Sequence, residues 1–281
     1  MGNSITAIVT DQVIEGLKKG RIPWRKEWEE GATTPHNFTT GHAYRGINVL
    51  LAHEYCQRHQ WQHPLFASYK QIASAGGQVI RGSKANIITY YKVGERKEED
   101  ENGEIITKKS FVLRYYNVFN VEQTDMQAED YIKTFAHESD TTAEELLHRH
   151  QPTIKPLTSA NPCYIPSTDV IELPGLDLYK QQQDYYSVAF HELTHWSGHQ
   201  SRLNRLLSPL ESNKQSYSKE ELIAEMGANM LSFECKLKTA VPDNSIAYIQ
   251  SWLKSLQDNP NMVIQASSKA QQAFDYLTQP V

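Results

Sequence analysis

Cysteine is scarce in this chain. Its 281 residues hold three, Cys56, Cys163 and Cys235, far apart and without a CxxC pair. An odd count without paired spacing argues against a disulfide framework and against a thiolate zinc site. Long apolar runs are missing as well, since nothing approaches the roughly 20 residues that a membrane-spanning helix needs. The opening residues Met1-Gly-Asn-Ser-Ile-Thr lack a basic region followed by an apolar core, so no secretory signal is expected. No internal repeat and no nucleotidyl-transfer motif is visible. These absences make the cytoplasm the expected compartment and leave no membrane among the expected partners.

What is present describes an ordinary folded chain, with 39% hydrophobic residues, 22% charged residues and a net charge of -5. The average hides an asymmetry. Residues 1–120 carry sixteen Lys/Arg against twelve Asp/Glu, and the remainder twelve against twenty-one. Many of the N-terminal acids sit in one stretch, Glu95 to Glu104, without which that part is distinctly basic.

Helical spacing of Ile5, Ile8, Val9, Val13, Ile14 and Leu17 predicts an amphipathic helix over 3–20, stopped by Gly20. Further helices are expected over 46–59 and 68–75. Residues 87–93 and 111–119, rich in β-branched and aromatic types, read as two strands, with 95–110 as an exposed charged loop between them. Polarity rises from Gln123 to Glu129, which marks a domain boundary. Short helices at 130–134 and 142–148 and short strands at 160–166 and 170–174 are expected next, then a mainly helical last hundred residues.

The sharpest motif is His191-Glu192-Leu193-Thr194-His195. Two His at i and i+4 on a helix project about 40° apart, so both can reach one ion. Neutral imidazoles and a carboxylate suit zinc, and Glu192 beside them can take a proton from a water. Asp184 or Ser187 is the expected cap of this helix and Gly198 its end. The motif is short, and a helix with two surface His and a solvated Glu is the bland alternative.

The third ligand decides between the two. A helix starting near Ser218 offers Glu220, Glu221 and Glu225, of which Glu221 and Glu225 share a face. We assign Glu221 as the ligand and Glu225 as the carboxylate that steadies a ligand His, with Glu225 the alternative ligand. A competing reading makes Ser218-x-x-Glu221 a capping box. His199 is a further candidate on the substrate side, although a third His in metzincin spacing is ruled out because position 201 is Ser201.

The N-terminal part interleaves cations and aromatics: Trp24-Arg25-Lys26, Trp28, Tyr44-Arg45, Trp61, Tyr69-Lys70, Arg81, Lys84, Tyr90-Tyr91-Lys92 and Arg114-Tyr115-Tyr116. Grooves that bind single-stranded nucleic acid combine cations that follow phosphates with rings that stack on bases. The structural alternative places most of these rings in the core. Trp24, Arg25, Lys26, Tyr44, Arg45, Lys70, Arg81, Lys84, Tyr90 and Lys92 are the candidate DNA contacts.

Several of these segments together resemble one family. Pro35-His-Asn-Phe-Thr-Thr-Gly-His-Ala-Tyr-Arg-Gly-Ile-Asn-Val-Leu50, Gly76-Gly-Gln-Val-Ile-Arg-Gly-Ser-Lys84 and Tyr116-Asn-Val-Phe-Asn-Val-Glu-Gln123 resemble the N-terminal domain of ArdC-type antirestriction proteins. Ile165-Pro-Ser-Thr-Asp-Val-Ile-Glu-Leu-Pro174, His191 to His199, Arg202-Leu-Asn-Arg205 and Glu220-Glu-Leu-Ile-Ala-Glu225 resemble its metallopeptidase-like C-terminal domain. One departure is Ser83, where the family often has an acidic residue.

The resemblance implies a protein of conjugative plasmids and other mobile elements that shields incoming DNA from host restriction. Its N-terminal domain is expected to bind single-stranded DNA and to resemble a region of plasmid primases. The expected fold is α+β with two domains: a mixed α/β single-stranded-DNA-binding domain over 1–125 and a mainly helical zincin-like metallopeptidase domain over 126–281. One divalent metal is expected, zinc or else manganese, on His191, His195 and Glu221 with Glu192 as the base. A host restriction-system protein is a candidate substrate. The alternative is a DNA-binding protector or replication accessory whose metal site is structural or inactive.

Overall fold

The computed structural model describes residues 4–20, 22, 35–99, 105–135, 141–158, 161–206, 214–237 and 245–281. The first helix, α1 (Ile5–Lys18), begins at Ser4, whose hydroxyl accepts from Ala7 N at 3.2 Å. It presents Val9, Val13, Ile14 and Leu17 to the core, as their spacing requires. A two-residue strand β1 (His36–Asn37) precedes α2 (Ile47–His59), which Gln60 ends in the left-handed conformation at φ 59°. Strand β2 (Leu65–Ala67) leads into α3 (Tyr69–Ser74), which starts with a reciprocal capping box of Ser68 and Gln71.

Strands β3 (Asn86–Glu99) and β4 (Ile105–Asn120) form a long antiparallel hairpin that pairs Asn86 with Val118 and Glu99 with Ile105. The exposed loop expected over 95–110 is therefore largely strand. The sheet order is β1-β2-β4-β3, with β1 and β2 parallel. After the short α4 (Glu129–Phe135) and α5 (Ala143–His148) comes a second sheet of β5 (Thr153–Pro156), β6 (Cys163–Ile165) and β7 (Val170–Leu173) in the order β5-β7-β6. Among the described residues four helices follow: α6 (Gln182–Ser197), α7 (Lys214–Glu234), α8 (Ser245–Asp258) and α9 (Met262–Thr278).

The largest apolar cluster crosses the boundary expected near residue 125. It joins Leu50, Leu51, Tyr55, Phe66, Ile88 and Val118 to Leu222 and Met226 of α7, Trp252 of α8 and Val263 of α9. Apolar burial contributes roughly 25 cal/mol per Å², and this cluster draws its buried residues from both halves of the sequence. A second cluster packs α5, β6, β7 and α9 around Phe190, Leu193 and Trp196 of α6. A third, smaller one gathers Phe38, Leu65, Ile72 and Val121. No helix among the described residues is long and apolar enough to cross a membrane.

Candidate metal centre

Two helices make the site. Helix α6 buries Ala189, Phe190, Leu193 and Trp196 against the second core, which leaves His191 and His195 on the side that meets α7. It starts at Gln182 with Gln181 at its cap position and no side-chain cap bond, so Asp184 lies inside its first turn and neither Asp184 nor Ser187 is the cap. Gly198 ends it as expected.

The two helices approach closely because α7 carries Gly227 opposite Thr194. A Cβ at Gly227 would lie 2.6 Å from Thr194 Cγ2 and 2.7 Å from its Oγ1. Thr194 cannot easily yield, since it is buried and its hydroxyl donates to Phe190 O at 2.7 Å. Helix α7 begins at Lys214, four residues before Ser218. Ser218 is thus a helix-interior residue, and the capping-box reading of Glu221 is overturned because that carboxylate has no helix start to satisfy.

His191 Nε2 and His195 Nε2 lie 3.2 Å apart. Glu221 Oε2 lies 3.5 Å from His191 Nε2, and its Oε1 lies 3.6 Å from His195 Nε2. One donor atom from each of the three residues falls within 4.8 Å of the others. A tetrahedral centre with bonds of ~2.0–2.1 Å separates its donors by roughly 3.3–3.4 Å. The donor set therefore fits one divalent ion in both spacing and chemistry.

The electrostatics of the metal-free arrangement agree with that fit. Burial opposes protonation of His191, but the Glu221 hydrogen bond and the charges of Glu225, Glu192 and Glu221 outweigh it and push the imidazole up to about 9. Burial likewise opposes ionisation of Glu221, yet the two imidazoles and the hydroxyl of Tyr217, one turn earlier, hold its carboxyl below the usual range. The charges of Glu192, Glu221 and Glu225 around His191 form a site that favours added positive charge.

Glu192 is buried between the two His on α6, where its charge acts on both His191 and Tyr179. Glu225 Oε1 lies 3.9 Å from His191 Nδ1, beyond hydrogen-bond reach. Its expected role of steadying a ligand His is filled on the other imidazole by Glu220, whose Oε1 lies 3.1 Å from His195 Nδ1. Sequence reasoning missed this because Glu220 does not share the face of Glu221 and Glu225. His199 is turned to Ser201, with Nδ1 to Oγ at 2.7 Å, and is not among the converging donors. Tyr164 donates to Asp169 at 2.8 Å, and burial together with that carboxylate raises its phenol.

The candidate DNA contacts divide into four groups. Trp24, Arg25 and Lys26 lie outside the described residues. Tyr44 is buried in the main core, with its hydroxyl donating to Phe66 O at 3.2 Å, so its ring is not presented to a base. Arg45 is exposed but paired with Asp275 of α9. Lys70, Arg81, Lys84, Tyr90 and Lys92 are all exposed.

Ladder register puts Tyr90, Lys92, Arg114 and Tyr116 on one face of the β3–β4 hairpin, and the Tyr90 and Tyr116 rings are 5.9 Å apart. Tyr91 and Tyr115, also exposed, lie on the other face.

A helix with two imidazoles flanking an acid, crossed by a second helix that brings a carboxylate, is the architecture of a zincin-like metal centre. The family model for a zincin-like metallopeptidase matches residues 141–269, and that for the N-terminal domain of anti-restriction factor ArdC matches residues 3–119. The solved metal-free structure of the antirestriction ArdC protein of plasmid R388 is 33% identical with a TM-score of 0.80; its Mn(II)-bound structure is 31% identical with a TM-score of 0.79. Each comparison covers 98% of this chain and 97% of that one. Two DNA primase TraC proteins of Escherichia coli are 35% identical over 96% of this chain, which spans only 26% and 19% of their lengths. The chain belongs to the ArdC antirestriction family.

Proposed function

We propose that this chain is an antirestriction protein of a mobile element, acting in the cytoplasm, that holds single-stranded DNA with residues 1–125 and carries a metallopeptidase-type centre in residues 126–281. The observation that carries the catalytic half is the convergence of His191, His195 and Glu221, with donor separations of 3.2–3.6 Å, beside a buried acid. Zinc is the favoured ion because two imidazoles and one carboxylate match its ligand preference. Manganese is the alternative, supported by the Mn(II)-bound relative.

His191, His195 and Glu221 hold the ion. Bound there, it supplies Lewis-acid polarisation of a carbonyl oxygen. Glu192 takes the proton from the attacking water and passes it to the departing amine. A component of the host restriction system is the proposed substrate.

The DNA half rests on the exposed hairpin face. Tyr90 and Tyr116 offer stacking surfaces, and Lys92 and Arg114 offer phosphate contacts beside them. Lys70, Arg81 and Lys84 add exposed charge.

Glu192→Gln tests the reading, because it keeps the side chain's shape and removes the base. Loss of protection in a restriction assay, with oligonucleotide binding intact, is the expected result. Full protection by the variant would leave a DNA-binding protector whose metal site is structural.

A further inference from the structure

Among the site's neighbours, one buried ion pair stands out. Glu220 Oε1 lies 3.1 Å from His195 Nδ1, and the same carboxylate receives Arg205 Nε at 3.1 and 3.2 Å and Nη2 at 3.0 Å. Arg205 is 4% exposed at its side chain. Its other nitrogens reach α6 as well: Nη1 donates to Ser197 Oγ at 2.8 Å, and Nη2 also donates to Thr194 O. The guanidinium therefore bridges the end of α6, the loop after it and α7.

The seat is cut to fit. A Cβ on Gly198 would come within 2.9 Å of Arg205 Cζ and 3.0 Å of Cγ. The loop closes over it with Arg205 N donating to Gly198 O at 3.0 Å and Leu206 N to the same oxygen at 3.1 Å.

We propose that Arg205 and Glu220 are a positioning pair for the metal centre: Arg205 fixes the Glu220 carboxylate, and Glu220 fixes the His195 ring with its Nδ1–H outward and its Nε2 lone pair toward Glu221 and His191. The inference rests on the metal reading and deepens it. Such carboxylate partners set the tautomer and orientation of a ligating imidazole. A guanidinium fork, with several donors in one plane, stops the carboxylate from turning away. The two imidazoles are held unequally, since His191 Nδ1 has its nearest carboxylate, Glu225, at 3.9 Å. His195 is the anchored ligand and His191 the looser one.

The rival explanation is that the pair only clamps α6 to α7. Arg202 supplies a control for it. That arginine, 9% exposed at its side chain, ties the same loop to Asp169 and to Trp196 O without touching a donor residue.

The experiment measures zinc affinity of the full chain by competition with a chromophoric chelator, and the melting temperature of the metal-free protein. The variants are Glu220→Gln, Arg205→Lys, Arg202→Met and the double variant Glu220→Gln/Arg205→Met, which leaves no lone charge buried. Glu220→Gln and the double variant should bind zinc roughly 10–100-fold more weakly, the range for lost partners of a ligating His. Arg205→Lys, which keeps the charge but not the fork, should fall between them and wild type. Arg202→Met should lower the melting temperature and leave zinc affinity unchanged. In zinc-loaded wild type, the His195 Nδ1–H proton should be visible by NMR and should be lost in the double variant. Unchanged zinc affinity in the Glu220 and Arg205 variants, with only the melting temperature lowered, would overturn the proposal and leave a clamp. A wild-type chain that takes up no zinc would remove the metal reading and the proposal together.

Discussion

Gly227→Ala is the most exacting test of how closely the helices must approach. The added Cβ would sit 2.6 Å from Thr194 Cγ2 and 2.7 Å from Oγ1, whereas carbon contacts relax at ~3.5–4.0 Å. About 1 Å of separation is needed. Thr194 cannot supply it by rotating, because both branches of its side chain face the glycine and its hydroxyl is bonded to Phe190 O. Alanine in a helix is worth ~1 kcal/mol over glycine. Overpacking a filled contact costs ~1–3 kcal/mol, and a contact this short belongs in the upper part of that range. The net expectation is a loss of ~1–2 kcal/mol, or a melting temperature lower by about 2–4 °C per kcal/mol.

The strain also reaches the metal donors. His195 follows Thr194 directly, and its Nε2 is already 3.6 Å from Glu221 Oε1. Spreading α6 from α7 should weaken zinc binding roughly tenfold, equivalent to ~1.4 kcal/mol. Calorimetric melting and chelator competition on the same preparation check both numbers. A Gly227→Ala chain that melts no lower than wild type and binds zinc equally well would refute the close-approach reasoning.

Metal uptake should depend on pH in a defined direction. Without the ion, His191 is raised to about 9 and carries a proton at neutral pH, which the ion must displace. Apparent affinity should climb about tenfold per unit from pH ~6.5 to ~9 and then level off, so binding at pH 7 is ~100-fold below the plateau; a flat profile counts against the paired imidazole. The stability of the metal-free chain runs the other way: the raised group contributes fully below its unfolded value and loses that contribution as pH rises through about 9. Replacing Tyr90 and Tyr116 together by Ala should weaken oligonucleotide binding by ~1–3 kcal/mol per lost stack without changing zinc affinity, as read by fluorescence anisotropy. Tyr44→Phe should leave DNA binding unaltered, because that ring is core.

The legible parts of this molecule are local. Helical spacing of apolar residues located α1, and two His four apart located one side of the metal centre. Glu221 was legible because it shares a helix face with Glu225, a relation that depends only on the helical period. What stayed hidden depends on contacts between distant segments. Glu220 points about 100° away from Glu221 around the helix axis, and its role exists only because Arg205, in a loop, folds back onto it. Ser218 was misread as a helix start because the preceding turn, from Lys214, carries no apolar period. The stretch over 95–110 is charged and carries no apolar alternation, so nothing in the sequence marks the ladder that pairs β3 and β4 out to Glu99 and Ile105. The shared core of α1, α2, α7, α8 and α9 leaves no local trace either, since each helix shows only that it has an apolar side.

Elemental analysis of the purified chain, alongside His191→Ala and Glu221→Ala, tests the central claim most directly. One equivalent of a divalent transition metal in wild type, lost in both variants while each still folds, is the expected result. Metal absent from wild type after loading with zinc or manganese, or retained undiminished by either variant, would contradict a centre built on these residues.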